Sequence, residues 1–436
     1  MADLLIKCMA VLTMDSEGDI INHGEIAVRD NLIYHVGPSG STPADFKPER
    51  VLDYPRMVAM PGLVNCHTHA AMTLFRGYAD DLPLMQWLND KIWPLEALLI
   101  PEDIFQGTLL CCAEMIRGGT TTLADMYVEM DQVARAVDEA GLRAVLCRGM
   151  IGAGPDGESA LAESVEFIQK WHCSAGGRIT TMLGPHAPYT CPPVYLKQVI
   201  AAAKEMGVGI HIHLAETVDE VKEISDQYGK TPVALMEEVG LFELPVLAAH
   251  CVHLSDTDID ILARRQVGIA HNPQSNMKLA SGVAPVSRLL HSGALVGLGT
   301  DGAASNNNVD MLEEMRTAAL LQKLHTCDTS VLPAYQALHM ATAGGARALG
   351  MQEQIGRLVS GLKADIILLD MHQPHLYPLF DIYAQIVYAA ASSDVHTVLV
   401  DGRVVMENRR ILTLDEDVVM AEAQRCADAL VQRSNS

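Results

Sequence analysis

The stretch Val58-Ala59-Met60-Pro61-Gly62-Leu63-Val64-Asn65-Cys66-His67-Thr68-His69 sets a pattern that governs most of the chain. An apolar run, 58–65, ends in a polar cluster, and a helix-like segment follows. The same layout recurs in the runs 120–125, 143–148, 178–183, 208–214, 245–250, 267–271 and 294–301. Between them lie stretches such as 102–117, 193–206, 256–265 and 283–291, where apolar residues repeat near helical spacing. Apolar runs alternating with helices predict a parallel sheet covered on both faces. Eight such runs predict an α/β fold, a (β/α)8 TIM-like barrel.

The two chain ends read differently. Short β-rich runs at 4–12, 25–29 and 32–36 precede the barrel pattern, and similar runs return at 364–369 and 397–405, the latter around the turn dipeptide Asp401-Gly402. Both ends are therefore expected to share one small β-sandwich, formed by residues 1–57 and 361–436, with 58–360 forming the barrel. Residues 415–432 read as a terminal helix with Val419, Ala423, Cys426 and Leu430 near one face.

With 436 residues, 49% hydrophobic and 19% charged, the chain can bury a large core and has no signature of disorder. Its 54 acidic residues outnumber 31 Lys and Arg, for a formal charge of −23. That balance opposes binding to nucleic acid or to an anionic membrane, so a small-molecule ligand is expected. The ten cysteines are scattered, with no Cys-x-x-Cys spacing, and are expected to be reduced and mostly buried. The N-terminal segment lacks the pattern of a signal peptide and no apolar stretch reaches about 18 residues, which points to a cytoplasmic protein.

His67 and His69 are two apart at the end of the first run, a spacing that points both side chains of a strand the same way. The fifth run ends in His211, His213 and Glu216, and the eighth in Thr300-Asp301-Gly302. Strand C-termini of a barrel converge on one mouth, so these residues are expected to meet. Three imidazoles and a carboxylate suit a divalent ion with room left for water. His211 and His213 share a face, and spacing alone leaves either as the third imidazole. His250 closes the sixth run and can orient a nucleophile beside the ion, whereas His253 is expected in the loop. The fourth run and its continuation to residue 186 hold no Lys, Asp or Glu to bridge a second ion, so one metal is expected. Zinc leads, with iron and manganese accepted by the same ligand types. Ser305, in the last loop, is expected to line the pocket or to cap a helix over 309–321.

Taken together, Pro61 to His69, His213 to Glu216, Ala249-His250-Cys251-Val252-His253 and Gly299-Thr300-Asp301-Gly302 resemble the amidohydrolase superfamily, over nearly the whole chain. Within it, Arg76-Gly77-Tyr78-Ala79-Asp80-Asp81-Leu82-Pro83-Leu84, Trp87-Leu88 and Ile92-Trp93-Pro94-Leu95-Glu96 resemble the 5'-methylthioadenosine/S-adenosylhomocysteine deaminases. The resemblance implies His67, His69, His213 and Asp301 as metal ligands, with His211 a deeper neighbour. It further implies that Glu96 receives the ribose hydroxyls, Trp87 packs near the 5' substituent, Arg148 grips a homocysteine carboxylate and His186 contacts the nucleoside. The residue types suit those tasks: a carboxylate accepts both vicinal hydroxyls, an indole supplies apolar area, and a guanidinium offers two donors.

The implied activity is hydrolytic deamination of the adenine ring of 5'-methylthioadenosine, S-adenosylhomocysteine, 5'-deoxyadenosine or adenosine, to the inosine derivative and ammonia. Asp301 would take the water proton, Glu216 would protonate ring N1 and carry a proton to the leaving amine, and His250 would stabilise hydroxide. A metal with a nearby non-ligating Glu is the division of labour in zinc deaminases of a different signature. Guanine or pterin deaminases and triazine deaminases or chlorohydrolases share the metal segments, but a base without ribose gives Glu96 no partner. A non-catalytic binding protein on the same barrel has no need of the full His, His, His, Asp and Glu set. The resemblance also implies a homo-oligomer.

Overall fold

In the computed structural model, which describes residues 3–82, 84–154 and 157–435, the eightfold alternation forms a barrel. Pro83, within the segment quoted above, lies outside the described residues. The barrel strands are β1 (Leu63–Thr68), β2 (Thr120–Tyr127), β3 (Arg143–Met150), β4 (Ile179–Thr181, resumed at Gly184–Pro185), β5 (Ile210–Leu214), β6 (Val246–His250), β7 (Gly268–His271) and β8 (Leu295–Leu298). Strands β1 to β4 and β5 to β8 form two parallel arcs. A bridge between Leu183 and Ile210 joins them on one side. On the other, the Thr300 amide donates to Asn65 Oδ1 at 3.0 Å and the Asp301 amide to the His67 carbonyl at 2.9 Å. Every residue of β1, β2, β5, β6 and β7 is buried, as expected of a parallel sheet covered on both faces.

The helix Ala343–Ala348 plugs the barrel at the N-terminal ends of its strands. A Cβ on Gly268 would meet the Ala348 carbonyl at 2.0 Å, and one on Gly297 would lie 2.9 Å from the Gly345 Cα. Only small residues permit this fit, which leaves the opposite mouth for ligands.

The chain ends build one nine-stranded sheet. Leu4–Leu12 pairs antiparallel with Ile20–Asn22 and Gly24–Arg29 and parallel with Arg50–Pro61, which in turn pairs with Ile366–Asp370. Residues 58–61, expected to open the barrel, lie in this sheet: Val58 sits between Ala10 and Leu369. The single run in the sequence is therefore two strands divided at Gly62. Val395–Val400 and Arg403–Glu407 form a hairpin whose Asp401 and Gly402 both take positive φ, 50° and 76°, as a two-residue turn of this kind requires. The terminal helix Glu416–Ser434 starts at its Asp415 cap and buries Val419, Ala423, Cys426 and Leu430.

Sheet and barrel are tied by Arg143. Its fully buried guanidinium donates to Asp365 Oδ2 at 2.7 Å and Asp401 Oδ1 at 3.1 Å, the pairing that a buried charge needs. The ten cysteines are free, and all but Cys173 and Cys327 are buried. Among the described residues, no helix is long and apolar enough to cross a membrane.

Candidate active site

At the open mouth a cavity of about 220 Å³ is lined by His69, Trp87, Glu96, Tyr127, His186, His213, Glu216, His250, Asp301 and Ser305, among others. Strand alternation explains the convergence. His67, His213 and His250 stand at or near the C-terminal ends of β1, β5 and β6, and Asp301 follows β8. Where the chain leaves these strands the backbone is strained: Ala215, His250 and Asp301 adopt left-handed φ values of 54°, 73° and 62°. Non-glycine residues are held so only when the surrounding structure over-determines them, as happens at functional sites.

Hydrogen bonds on the far side of each ring decide what the imidazoles present. His69 donates from Nδ1 to the Met126 carbonyl at 2.5 Å, and His213 from Nδ1 to the His186 carbonyl at 2.8 Å. A ring whose single proton is used in this way presents a bare Nε2, and these two Nε2 atoms face each other at 3.4 Å. Asp301 Oδ1 lies 3.3 Å from His69 Nε2 and 3.5 Å from His67 Nε2, a buried atom without a hydrogen-bond partner among the described residues. Three ring nitrogens, two of them bare, and a carboxylate oxygen crowded together in this way suit a cation. Separations of 3.3–3.5 Å are edges of a tetrahedron with bonds of about 2.0–2.1 Å, the length of a zinc–nitrogen bond. His67, His69 and His213 form one potential metal-binding group, and His67, His250 and Asp301 another. Both contain His67, so they describe one centre.

Charge states fit this use. Burial pushes His67 down to about 4, and burial with the surrounding imidazoles takes His213 well below its usual value, so both are neutral at pH 7. Burial alone would raise the Asp301 carboxyl, but contact with His67 and the nearness of the other imidazoles hold it well below the ordinary range. The outer oxygen, Oδ2, accepts from Ser275 at 2.6 Å and from Ser305 at 3.1 Å. Ser305 thus lines the cavity and braces Asp301; the helix Met311–Thr326 is capped by Asp310 instead.

Glu216 follows β5 on the cavity wall, its Oε2 3.7 Å from His250 Nε2. The amides of Asn276 and Asn272 reach His250 Nδ1 at 2.9 and 3.3 Å, which leaves the ring proton on Nε2, facing Glu216. Glu96 also lines the cavity and accepts from the Tyr127 hydroxyl at 2.7 Å; burial raises its pKa, though the Tyr127 bond opposes the shift. Trp87, another lining residue, is buried, its indole N–H donating to the Ala79 carbonyl at 3.0 Å. His186 is pushed down to about 4 by burial and pairs through Nδ1 with the Thr190 hydroxyl at 3.0 Å. Arg148 does not line the cavity. It donates to Glu163 at 2.9 Å and to the Gly149 carbonyl at 3.2 Å. His253 lies in the loop and bonds the Ser281 carbonyl at 2.6 Å.

Several supporting residues escape the sequence reading. Tyr127, Asn272, Ser275, Asn276 and Ser281 are ordinary polar residues with no spacing that marks them. Glu220 is different: its carboxylate receives the Ala215 and Glu216 amides, each at 2.8 Å, and so holds the strained turn after β5. Burial raises it to about 8. Its signal is the Thr217-x-x-Glu220 spacing of a helix start, with the Thr217 hydroxyl accepting from the Glu220 amide.

A model of the amidohydrolase family matches residues 58–405. The chain is 60% identical over 433 residues to a 5-methylthioadenosine/S-adenosylhomocysteine deaminase of Pelotomaculum thermopropionicum, covering 99% of this chain and 100% of that one. It is 51% identical over 438 residues to a 5'-deoxyadenosine deaminase of Methanosarcina mazei, covering 100% of both. Among solved structures, an adenosine deaminase from Xanthomonas campestris with bound zinc superimposes with a TM-score of 0.95 at 36% identity, over 99% of each chain. The chain belongs to the amidohydrolase family and, within it, to the group of the 5-methylthioadenosine/S-adenosylhomocysteine deaminases.

Proposed function

We propose that this chain hydrolytically deaminates the adenine ring of 5'-substituted adenosines, 5'-methylthioadenosine, S-adenosylhomocysteine and 5'-deoxyadenosine among them. The observation that carries this reading is the pairing, in one cavity, of the imidazole set with the Tyr127-held carboxylate of Glu96. The first suits hydrolysis at the ring, and the second suits a vicinal diol.

His67, His69, His213 and Asp301 would hold one divalent ion, zinc in this reading. Such an ion supplies a nucleophile at neutral pH by acidifying water. Asp301, braced by Ser275 and Ser305, takes the second proton of the water as the oxygen adds to C6. His250 donates from Nε2 to that oxygen. Glu216 gives to ring N1 the first proton lost by the attacking water, and the second, held by Asp301, then reaches the amine by way of Glu216, so that ammonia leaves while C6 keeps the oxygen. General acid–base work of this kind contributes roughly 10²–10⁴-fold.

Glu96 receives the ribose hydroxyls, His186 contacts the nucleoside, and Trp87 packs against the 5' group. Arg148 meets a homocysteine carboxylate by exchanging Glu163, and a partly exposed pair of this kind is worth only about 0–1 kcal/mol. A cytoplasmic homo-oligomer acting on a small nucleoside completes the reading, since free cysteines suit a reducing compartment.

The test is ammonia release by zinc-loaded protein from methylthioadenosine, S-adenosylhomocysteine, 5'-deoxyadenosine, adenosine, adenine and guanine. Turnover of the nucleosides without the free bases supports a ribose-reading deaminase. Turnover of a free base alone, or of nothing in this set, moves the assignment to another amidohydrolase substrate.

A further inference from the structure

Each proposed ligand histidine is anchored through Nδ1, but not in the same way. His69 and His213 lean on main-chain carbonyls, whereas His67 Nδ1 meets a side chain, Nε2 of His211, at 2.9 Å. Both rings of that pair are fully buried. His211 in turn presents Nδ1 to Cys147 Sγ at 3.6 Å, and Cys147 donates to the Asp125 carbonyl at 3.5 Å.

Chemistry sets the direction of this chain. A ligating Nε2 on His67 must be bare, so the single proton of the neutral ring lies on Nδ1 and is donated. His211 must then accept through Nε2 and carry its own proton on Nδ1, directed at the sulfur. The thiol proton points onward to the carbonyl oxygen. With the opposite polarity, His67 would carry its proton on Nε2 and could not bind an ion.

We propose that His211 is a positioning residue for the metal, fixing the ring orientation and the bare Nε2 of His67 by accepting its Nδ1 proton. The proposal rests on the ligand set named above. Partners of this kind, which hold a ligand from behind, typically change metal affinity 10–100-fold when removed. His211 and His213 thus divide the inner face of β5: one binds, and the other sits one layer deeper and aims a different strand's ligand.

The experiment is a zinc competition titration of purified protein against a chromogenic chelator, which needs no substrate. His211→Leu should weaken zinc roughly 10–100-fold, while His211→Gln, whose amide oxygen reaches about where Nε2 stands, should restore most of that loss. Should His211→Leu fail to fold, His211→Asn, polar but too short to reach His67, takes its place. Parent-like affinity in the variant lacking the acceptor overturns the proposal, as does equal loss in that variant and in His211→Gln, which would mean that only ring packing matters. A parent that binds no zinc overturns the ligand set itself.

Discussion

Ser281 Oγ donates to Glu216 Oε1 at 3.1 Å, although 65 residues separate them in sequence. The bond holds one carboxylate oxygen and leaves the other 3.7 Å from His250 Nε2. Ser281→Ala should therefore lower kcat roughly fivefold, the worth of about 1 kcal/mol for one hydrogen bond, with little change in KM. Steady-state kinetics on methylthioadenosine checks this, and an unchanged kcat removes Ser281 from the proton path.

Glu216→Gln keeps the shape of the side chain but cannot carry a proton. Its kcat should fall by about 10² or more, while zinc content, read by elemental analysis, stays at the parental level. Loss of the metal would instead make Glu216 a ligand.

Asn276 and Asn272 keep His250 Nδ1 as an acceptor and so hold its proton on Nε2. Replacing Asn276 with Ala removes the shorter bond and frees the ring to take the other tautomer. A fall in kcat of about tenfold is expected, equivalent to roughly 1.4 kcal/mol, with the melting temperature changed by only a few degrees. A large stability loss at constant kcat would assign Asn276 to packing alone.

How legible these residues are depends on what constrains them. His67 and His69 stand out because period-two spacing at the end of an apolar run has few other meanings, and the same holds for His211 and His213. Choosing between those last two needs geometry: both point inward, and what tells them apart is that His213 is tied through Nδ1 to a carbonyl, whereas His211 Nε2 is taken up by another imidazole. Ser275 and Asn276 lie on a short helix, Pro273–Lys278, that meets Asp301 and His250 from other strands, and no local pattern encodes a meeting across the barrel. The division at Gly62 was hidden for a related reason. Residues 57–61 before it and 63–64 after it are alike apolar, because the first stretch is buried in the sheet and the second in the barrel.

His271 offers a test through stability. Both of its ring nitrogens are buried and have no hydrogen-bond partner among the described residues, and burial pushes it down to about 3 from an ordinary 6.5. Because the folded pKa is depressed, the unfolded chain takes up a proton that the native state refuses. Stability is fully retained above about pH 6.5 and is lost as pH falls toward 3. His271→Leu lacks this term, so between pH 7 and 5 the parent should lose about 2 kcal/mol relative to the variant in urea denaturation. Parallel behaviour of the two proteins would show that His271 is protonated inside the fold.

The most direct test of the proposed activity measures kcat/KM for methylthioadenosine and for adenine with the zinc-loaded parent and with Glu96→Ala. The parent is expected to deaminate the nucleoside and not the base, and the variant to lose roughly 100-fold or more on the nucleoside, as two hydrogen bonds to a carboxylate vanish. A parent inactive on the nucleoside, or a variant equal to it, would contradict a ribose-reading deaminase.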